Sequence, residues 1–304
     1  MAVFQRGETF VARTSIRDRI GELTTPTTTK ISIYDPCNIT LVSSVSMTVD
    51  TVGQYFYNYN LSSSATYGRY TTRIETLTSG NTTYQYGKFF IMPWDGVLDV
   101  RQTMGVHDSK SIDDDDISNI LWNCYLYALR DVHTHHYKEI PIGNPDTGAG
   151  FDGSNISFQT RYYPIADING DGIVRGNNVS CATDMKVTWI NSAGHMVNGT
   201  ISVTQADNGE ITITQVGGTA IPANNEGVYL DYWCQYEGFD AFLFQQAVVK
   251  LACHEISKRF ASLTEITLAN IRSNNPLIII DPNMYWKEYQ RYLKKNRSII
   301  IGGV

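Results

Sequence analysis

Phe10, Ala12, Thr14 and Ile16 alternate with other positions, and the same two-residue period returns at Ile31 and Ile33 and through residues 55–61. Side chains two apart share one face of an extended chain, so the stretch up to about residue 93 predicts strands rather than helices. Turn signals recur at Gly21, Asp35-Pro36, Gly53, Gly68 and Ser79-Gly80, the rhythm expected of an all-β sandwich. The period then changes. Ile117, Ile120, Leu121, Cys124, Ala128 and Val132 recur at three- and four-residue steps, which predicts an amphipathic helix. The acids Asp113 to Asp116 at its start suit an N-terminus, where carboxylates accept bonds from free amides and oppose the helix dipole. The segment between, residues 95–116, reads as a polar boundary.

After Gly143 the strand pattern resumes. Residues 158–163 and 186–190 alternate, and Ile201, Val203, Ile211 and Ile213 flank Asp207-Asn208-Gly209. Asn-Gly predicts a hairpin with a type I′ turn, in which both central residues take positive φ. Val228, Leu230 and Tyr232 form one more strand. A long helical pattern follows, with Phe242, Val249, Cys253, Ile256 and Phe260 on one side. Asp281-Pro282 then reads as a cap and first-turn proline opening a last helix through Met284, Tyr285, Tyr289 and Leu293, with Lys294, Lys295 and Arg297 at its end. The tail from Ser298 is apolar at Ile299, Ile300 and Ile301. The predicted class is α+β multidomain: an all-β sandwich over residues 1–105, then a helical domain over 106–304 carrying a β-rich insertion at about 151–236.

The chain has 304 residues, 42% hydrophobic and 18% charged, enough apolar matter for a core. With 24 basic and 30 acidic residues its formal charge is -6, which excludes a broad cationic surface for nucleic acid. Residues 1–105 hold 9 basic and 8 acidic side chains, leaving 15 and 22, and so about -7, for the rest. Five cysteines without a CxxC or regular spacing predict neither a disulfide framework nor a zinc site, and fit a reducing compartment. No stretch approaches the roughly 18 apolar residues of a membrane span.

Candidate chemistry is sparse. His133, His135 and His136 could join a metal if carboxylates supplied the remaining ligands, as a metal-dependent hydrolase would need; the alternative is a solvated helix end. Asp167, Asn169 and Asp171, with Gly170 and Gly172, resemble the front half of a calcium loop. Position twelve is Asn178, which lacks the bidentate carboxylate, and the alternative is a pair of polar turns. His254-Glu255 is not followed by a second histidine at Lys258, so a zincin is excluded; Glu255 with Lys258 or Arg259 reads as a surface ion pair. No nucleophile elbow, phosphate loop or dinucleotide fingerprint occurs, and no catalytic residue or cofactor is assigned.

The run from Gly53 to Leu61 and the G-x-Y at Gly68 and Tyr70 resemble bacterial and phage immunoglobulin-like sandwiches. From about Ser111, the acidic start and first helix, the β excursion, the helix from Phe239 and the final PNMYWKEYQRYLKKN resemble the head-to-tail connector, or adaptor, proteins of tailed phages. That resemblance implies a non-enzymatic homo-oligomeric ring, commonly twelve-fold, in the virion neck. It would be assembled in the host cytoplasm beneath the portal protein, meeting a tail, stopper or terminator ring and the capsid, with DNA passing its lumen without specific binding. It further implies an oligomer interface at Ile117, Leu121, Phe242, Val249, Ile256 and Phe260, and portal docking through Tyr285, Tyr289, Leu293, Ile299, Ile300 and Ile301. An acidic wall lets DNA pass without sticking. The tyrosine-rich first sandwich leaves an alternative: a tail-associated receptor- or carbohydrate-binding protein whose rings stack on sugars.

Overall fold

Strand-rich alternation at the N-terminus and three-to-four-residue periodicity later produce a mixed fold in the computed structural model. It describes residues 2–105, 112–144, 146–147, 150, 156–177, 183–191, 193–214, 228–235, 239–267 and 282–297. These form several sheets and, among the described residues, four helices. The chain divides into two compact units, residues 1–119 and 120–304.

In the first unit the strands are β1 (Ala2–Phe4), β2 (Thr9–Ser15), β3 (Thr28–Tyr34), β4 (Thr40–Ser46), β5 (Thr48–Thr51), β6 (Gln54–Asn60), β7 (Gly68–Thr78) and β8 (Asn81–Ile91). They make a five-stranded sheet, β1-β8-β7-β3-β4, and a three-stranded sheet, β2-β6-β5. The two share one core. Ala12 and Tyr55 come from the smaller sheet and meet Ile31, Ile33, Tyr70 and Phe89 from the larger, as the alternation predicts for a sandwich. Phe89 stacks on Phe10 and Tyr70 at 4.1 and 5.0 Å. The Tyr70 hydroxyl donates back to the Thr66 carbonyl at 2.8 Å, so the ring can be buried without an unsatisfied polar tip.

A helix, α1 (Gly96–Met104), occupies the segment read as a polar boundary. Asp95 accepts from the Leu98 amide at its start and Gly105 adopts a left-handed conformation, φ 67°, at its end. Both caps are written in the sequence; only Val97 and Val100 give the short helix an apolar side, too few to show a period.

Then come α2 (Asp114–Val132), β9 (Thr134–Glu139), β10 (Ser157–Gln159), β11 (Met185–Ile190), β12 (Met196–Asn198), β13 (Thr200–Gln205), β14 (Glu210–Thr214), β15 (Val228–Cys234), α3 (Ala241–Thr267) and α4 (Pro282–Arg297). The unit division falls inside α2 rather than at residue 105. Arg101 of α1 binds the Asp114 carboxylate and the Ile112 carbonyl, tying the start of α2 to the element before it. Asp113 caps α2 as expected, its carboxylate accepting from the Asp115 amide.

The β-rich part of the second unit is also two facing sheets, β12-β11-β15-β9 and β10-β14-β13. Val187, Trp189, Leu230 and Tyr232 of one meet Phe158, Ile201, Ile211 and Ile213 of the other. The Asn-Gly hairpin joins β13 to β14, with a different turn. Only Gly209 takes positive φ, at 71°, and its amide donates to the Ala206 carbonyl, so the turn is not type I′.

The helices cluster with one another. Tyr125 of α2 meets Phe244 of α3 edge-on at 5.8 Å, and Lys250 of α3 pairs with Glu288 of α4 at 2.8 Å. The Tyr289 hydroxyl of α4 donates to Asp131 of α2 at 2.7 Å.

Candidate functional site

The three histidines do not converge. His133 ends up buried where α2 gives way to β9, its Nδ1 without a hydrogen-bond partner among the described residues and its ring 5.5 Å from that of Phe239. Burial pushes its pKa down to about 4, so it is neutral at pH 7. His135 and His136, adjacent on β9, point to opposite faces as period two demands. His136 stacks on Tyr162 at 4.3 Å and Tyr232 at 5.3 Å. His135 lies on the other face, stacked on Trp233 at 4.6 Å with Nε2 2.5 Å from Asp231. This run therefore gathers no ligand set among the described residues: β9 sends His135 and His136 to opposite faces, and His133 is buried apart from both.

Asp167, Asn169 and Asp171 do lie together, but their oxygens face the chain. Asp167 accepts from the amides of Gly170, Asp171 and Gly172, Asn169 from that of Asp171, and Asp171 from Ile173 and the Arg175 guanidinium. Asp184, remote in sequence, accepts from the amides of Ile168, Asn169 and Arg175. Gly170, φ 73°, is pressed on α2, where a Cβ would meet Tyr125 at 2.6 Å and Leu126 at 2.9 Å. The loop thus acts as a turn clamped by carboxylates and seated on a helix. Among the described residues no group of three His, Cys, Asp or Glu side chains could hold a metal ion. Burial, with the Asp184 charge next, raises the Asp167 pKa to about 7, and burial raises that of Asp184 to about 6. Sequence reading missed Asp184, because nothing local marks a residue that closes a turn from so far along the chain.

The residues expected to join copies of the chain are mostly covered by the chain itself. Ile117, Leu121, Val249 and Ile256 are buried, as are Tyr285, Tyr289 and Leu293 of the expected docking helix. Side chains already enclosed have no surface to offer a partner, which corrects both assignments at these positions. Phe242 alone of the set is exposed, at 65%. The Phe260 side chain and Ile299, Ile300 and Ile301 lie outside the described residues.

A cavity of about 700 Å³ opens among α2, α3 and α4, with Cys124, His254, Glu255, Lys258 and Trp286 in its wall. His254 Nδ1 donates to the Pro282 carbonyl at 2.8 Å, which fixes the ring, and Glu255 pairs with Lys258 at 3.4 Å as its spacing predicts. Burial pushes the Cys124 thiol up to about 12, far from a nucleophilic thiolate. Cys234 and Cys253 are likewise free, buried and raised, to about 11 and about 12. Cys37 is disulfide-bonded, which corrects the expectation that every cysteine is reduced.

Sequence reading also missed an aromatic strip on the outer face of β15 and β9. Trp233 and His135 sit directly across the pair, as do Asp231 and Tyr137, and Tyr137 is 66% exposed. Lys186 of β11 faces Asp231 from the other side. The period-two alternation of these strands was the available signal.

No protein-family model and no curated protein matches the chain. Among solved structures, trypsin-activated alpha-2-macroglobulin from Escherichia coli is 14% identical, covering 77% of this chain and 12% of its own, with a TM-score of 0.26. The same protein activated by porcine elastase is 14% identical over 77% of this chain and 16% of its own, TM-score 0.27. A tetra-tandem repeat in the extending region of a large adhesion protein is 12% identical over 74% of this chain and 55% of its own, TM-score 0.24. Likeness of this degree carries no argument about fold or activity.

Proposed function

We propose that the chain is a non-enzymatic structural subunit of a tailed-phage neck, forming a twelve-fold ring between portal and tail through which DNA passes. In this reading the first sandwich is immunoglobulin-like, and the helices form a connector domain interrupted by the second sandwich. One observation carries it: the β-rich excursion closes on its own core, and the helices on either side of it return to each other. Asp131 and Tyr289, 158 residues apart, join at 2.7 Å. Helix, β excursion and helix pair are the order of parts that resembles connectors. The backward hydrogen bond of Tyr70 to Thr66 favours the immunoglobulin-like assignment, because it is the arrangement of a tyrosine corner.

With the helical stripes enclosed, contacts between copies fall to exposed side chains such as Phe242, Tyr127 and Met284, at 65%, 53% and 44%. Native mass measurement and negative-stain images of the full chain test the reading. Closed rings are expected; a species that stays monomeric as concentration rises to the level of in-virion packing overturns it.

A second reading, receptor or carbohydrate binding, draws on the outer strip of Trp233, His135 and Tyr137 with Asp231 and Lys186 beside it. Rings supply stacking faces and the charged groups supply donors and acceptors for hydroxyls. In the first sandwich Tyr55 and Tyr70 are buried and Tyr57 and Tyr59 pack on the core, so only Tyr84 and Tyr86 of β8 among the tyrosines expected there offer exposed rings. Glycan-array binding that disappears in Trp233→Ala would favour it.

A further inference from the structure

The last helix has two unlike sides. Tyr285, Tyr289 and Leu293 are buried, while Lys287, Arg291, Lys294 and Lys295 are exposed. Their spacing of four, seven and eight residues from Lys287 puts these cations on one stripe. The acid of this helix, Glu288, is engaged by Lys250 of α3 at 2.8 Å and does not neutralise the stripe. Lys258 of α3, in the cavity wall beside Trp286, is paired with Glu255 and adds no uncompensated charge to this stripe. A chain of formal charge -6 therefore gathers cations on one helix face.

We propose that this face of α4 contacts the phosphate backbone of duplex DNA, without sequence preference. Charge complementarity selects the partner. From Lys287 to Lys295 the helix runs about 12 Å, a length over which a duplex presents about seven phosphate charges. The other polyanion at hand is the Asp113–Asp116 run of a second copy. That run is partly taken up internally: Asp113 caps α2 and Asp114 is bound by Arg101. The choice of DNA rests on the neck reading; ring formation is read by mass and DNA contact by titration, so the two fail separately. The expected passage of DNA without specific binding is thereby sharpened to backbone contact that is weak and salt-sensitive.

The test is fluorescence anisotropy of a labelled random-sequence 30-base-pair duplex titrated with the full chain at 50 to 200 mM salt. Four phosphate contacts predict a roughly hundredfold loss of affinity over that range, a log-log slope of about -3.6. The variant K287Q/R291Q/K294Q/K295Q is expected to bind at least tenfold more weakly at low salt with a much flatter slope. R17Q/R19Q, in the first unit, is expected to bind like the native chain. Circular dichroism melts verify that each variant is folded, and if the quadruple variant is not, the pair K287Q/R291Q carries the same test with about half the change in slope. No binding at 50 mM salt, or an unchanged slope in a folded stripe variant, overturns the proposal. So does a stripe variant that loses self-association while keeping its DNA affinity, since the stripe then serves a protein contact.

Discussion

In the first sandwich the longest strands are neighbours in sequence: β7 and β8, 11 residues each, pair along their whole length. In the second the strands have three to seven residues, and the central β15 pairs with β9, reached only after all the other strands of that sandwich. Long local ladders bring many backbone bonds together at small loop entropy, whereas short strands gathered from afar must be held by what lies between them. The second core accordingly is filled by Trp189, and backbone comes close where glycine permits. A Cβ on Gly199 would sit 1.8 Å from the Trp189 ring, and one on Gly176 1.9 Å from the Ile201 carbonyl oxygen. In the first sandwich the approaches are looser: a Cβ on Gly53 would meet the Ile16 and Thr24 backbone at 2.9 Å, and one on Gly87 the Thr72 hydroxyl at 2.6 Å with nothing else nearer than 4.0 Å.

The sharpest way to break this contrast is to empty each core. Trp189→Ala and Phe89→Ala are each expected to cost about 3–5 kcal/mol, since both side chains are fully enclosed. Hydrogen exchange would read the loss in residues of the same sandwich. Protection lost equally in both units by either substitution would show that the two cores are not separate.

Next in size is a response to pH that belongs to the second unit. His133 has its folded pKa lowered from 6.5 to about 4, so its neutral burial contributes fully above about pH 6.5 and is lost as pH falls toward 4. The full difference is on the order of 3 kcal/mol. Asp167 and Asp184 act in the opposite sense. Their folded pKa values, about 7 and about 6, lie above the ordinary 3.8, so the turn gains stability as pH falls through that window. His133→Phe removes one side of this opposition. Denaturant titrations at pH 7 and pH 5 are expected to find the variant gaining relative to the native chain at the lower pH; a constant difference would mean that His133 is not buried neutral.

The smallest expected effect compares the glycines. Gly199→Ala forces the Trp189 ring aside and is expected to cost about 1–3 kcal/mol. Gly87→Ala needs only a displaced hydroxyl and is expected to cost less than Gly199→Ala, in melts of the two variants side by side. Equal costs would remove the distinction between a core closed by packing and one closed by ladder bonds.

The strands of the first unit were legible because one buried face and one wet face imprint period two on the residues, as at Ala12, Thr14 and Ile16. The cores of α2, α3 and α4 were legible for the same reason at the helical period. Less of the candidate chemistry was. The histidine run looked like a cluster because adjacency in sequence is visible, while the strand that sends His135 and His136 to opposite faces had not been assigned. Asp184 was invisible beside Asp167 because their proximity is made by a chain reversal, not by spacing.

The residues alone determined where apolar stripes lie, which cap opens α2, and where β13 turns into β14, since each is set by neighbours a few positions apart; the cap expected at Asp281 lies outside the described residues. Tertiary structure alone decided what covers each stripe. Tyr289 and Leu293 look like a docking edge until α4 folds back onto α2 and α3. Enclosing that edge leaves the lysines and arginine of the opposite side as the surface the helix presents to water. A stripe records that a side chain must leave water; only the folded chain says whether its own atoms or another molecule's take the water's place.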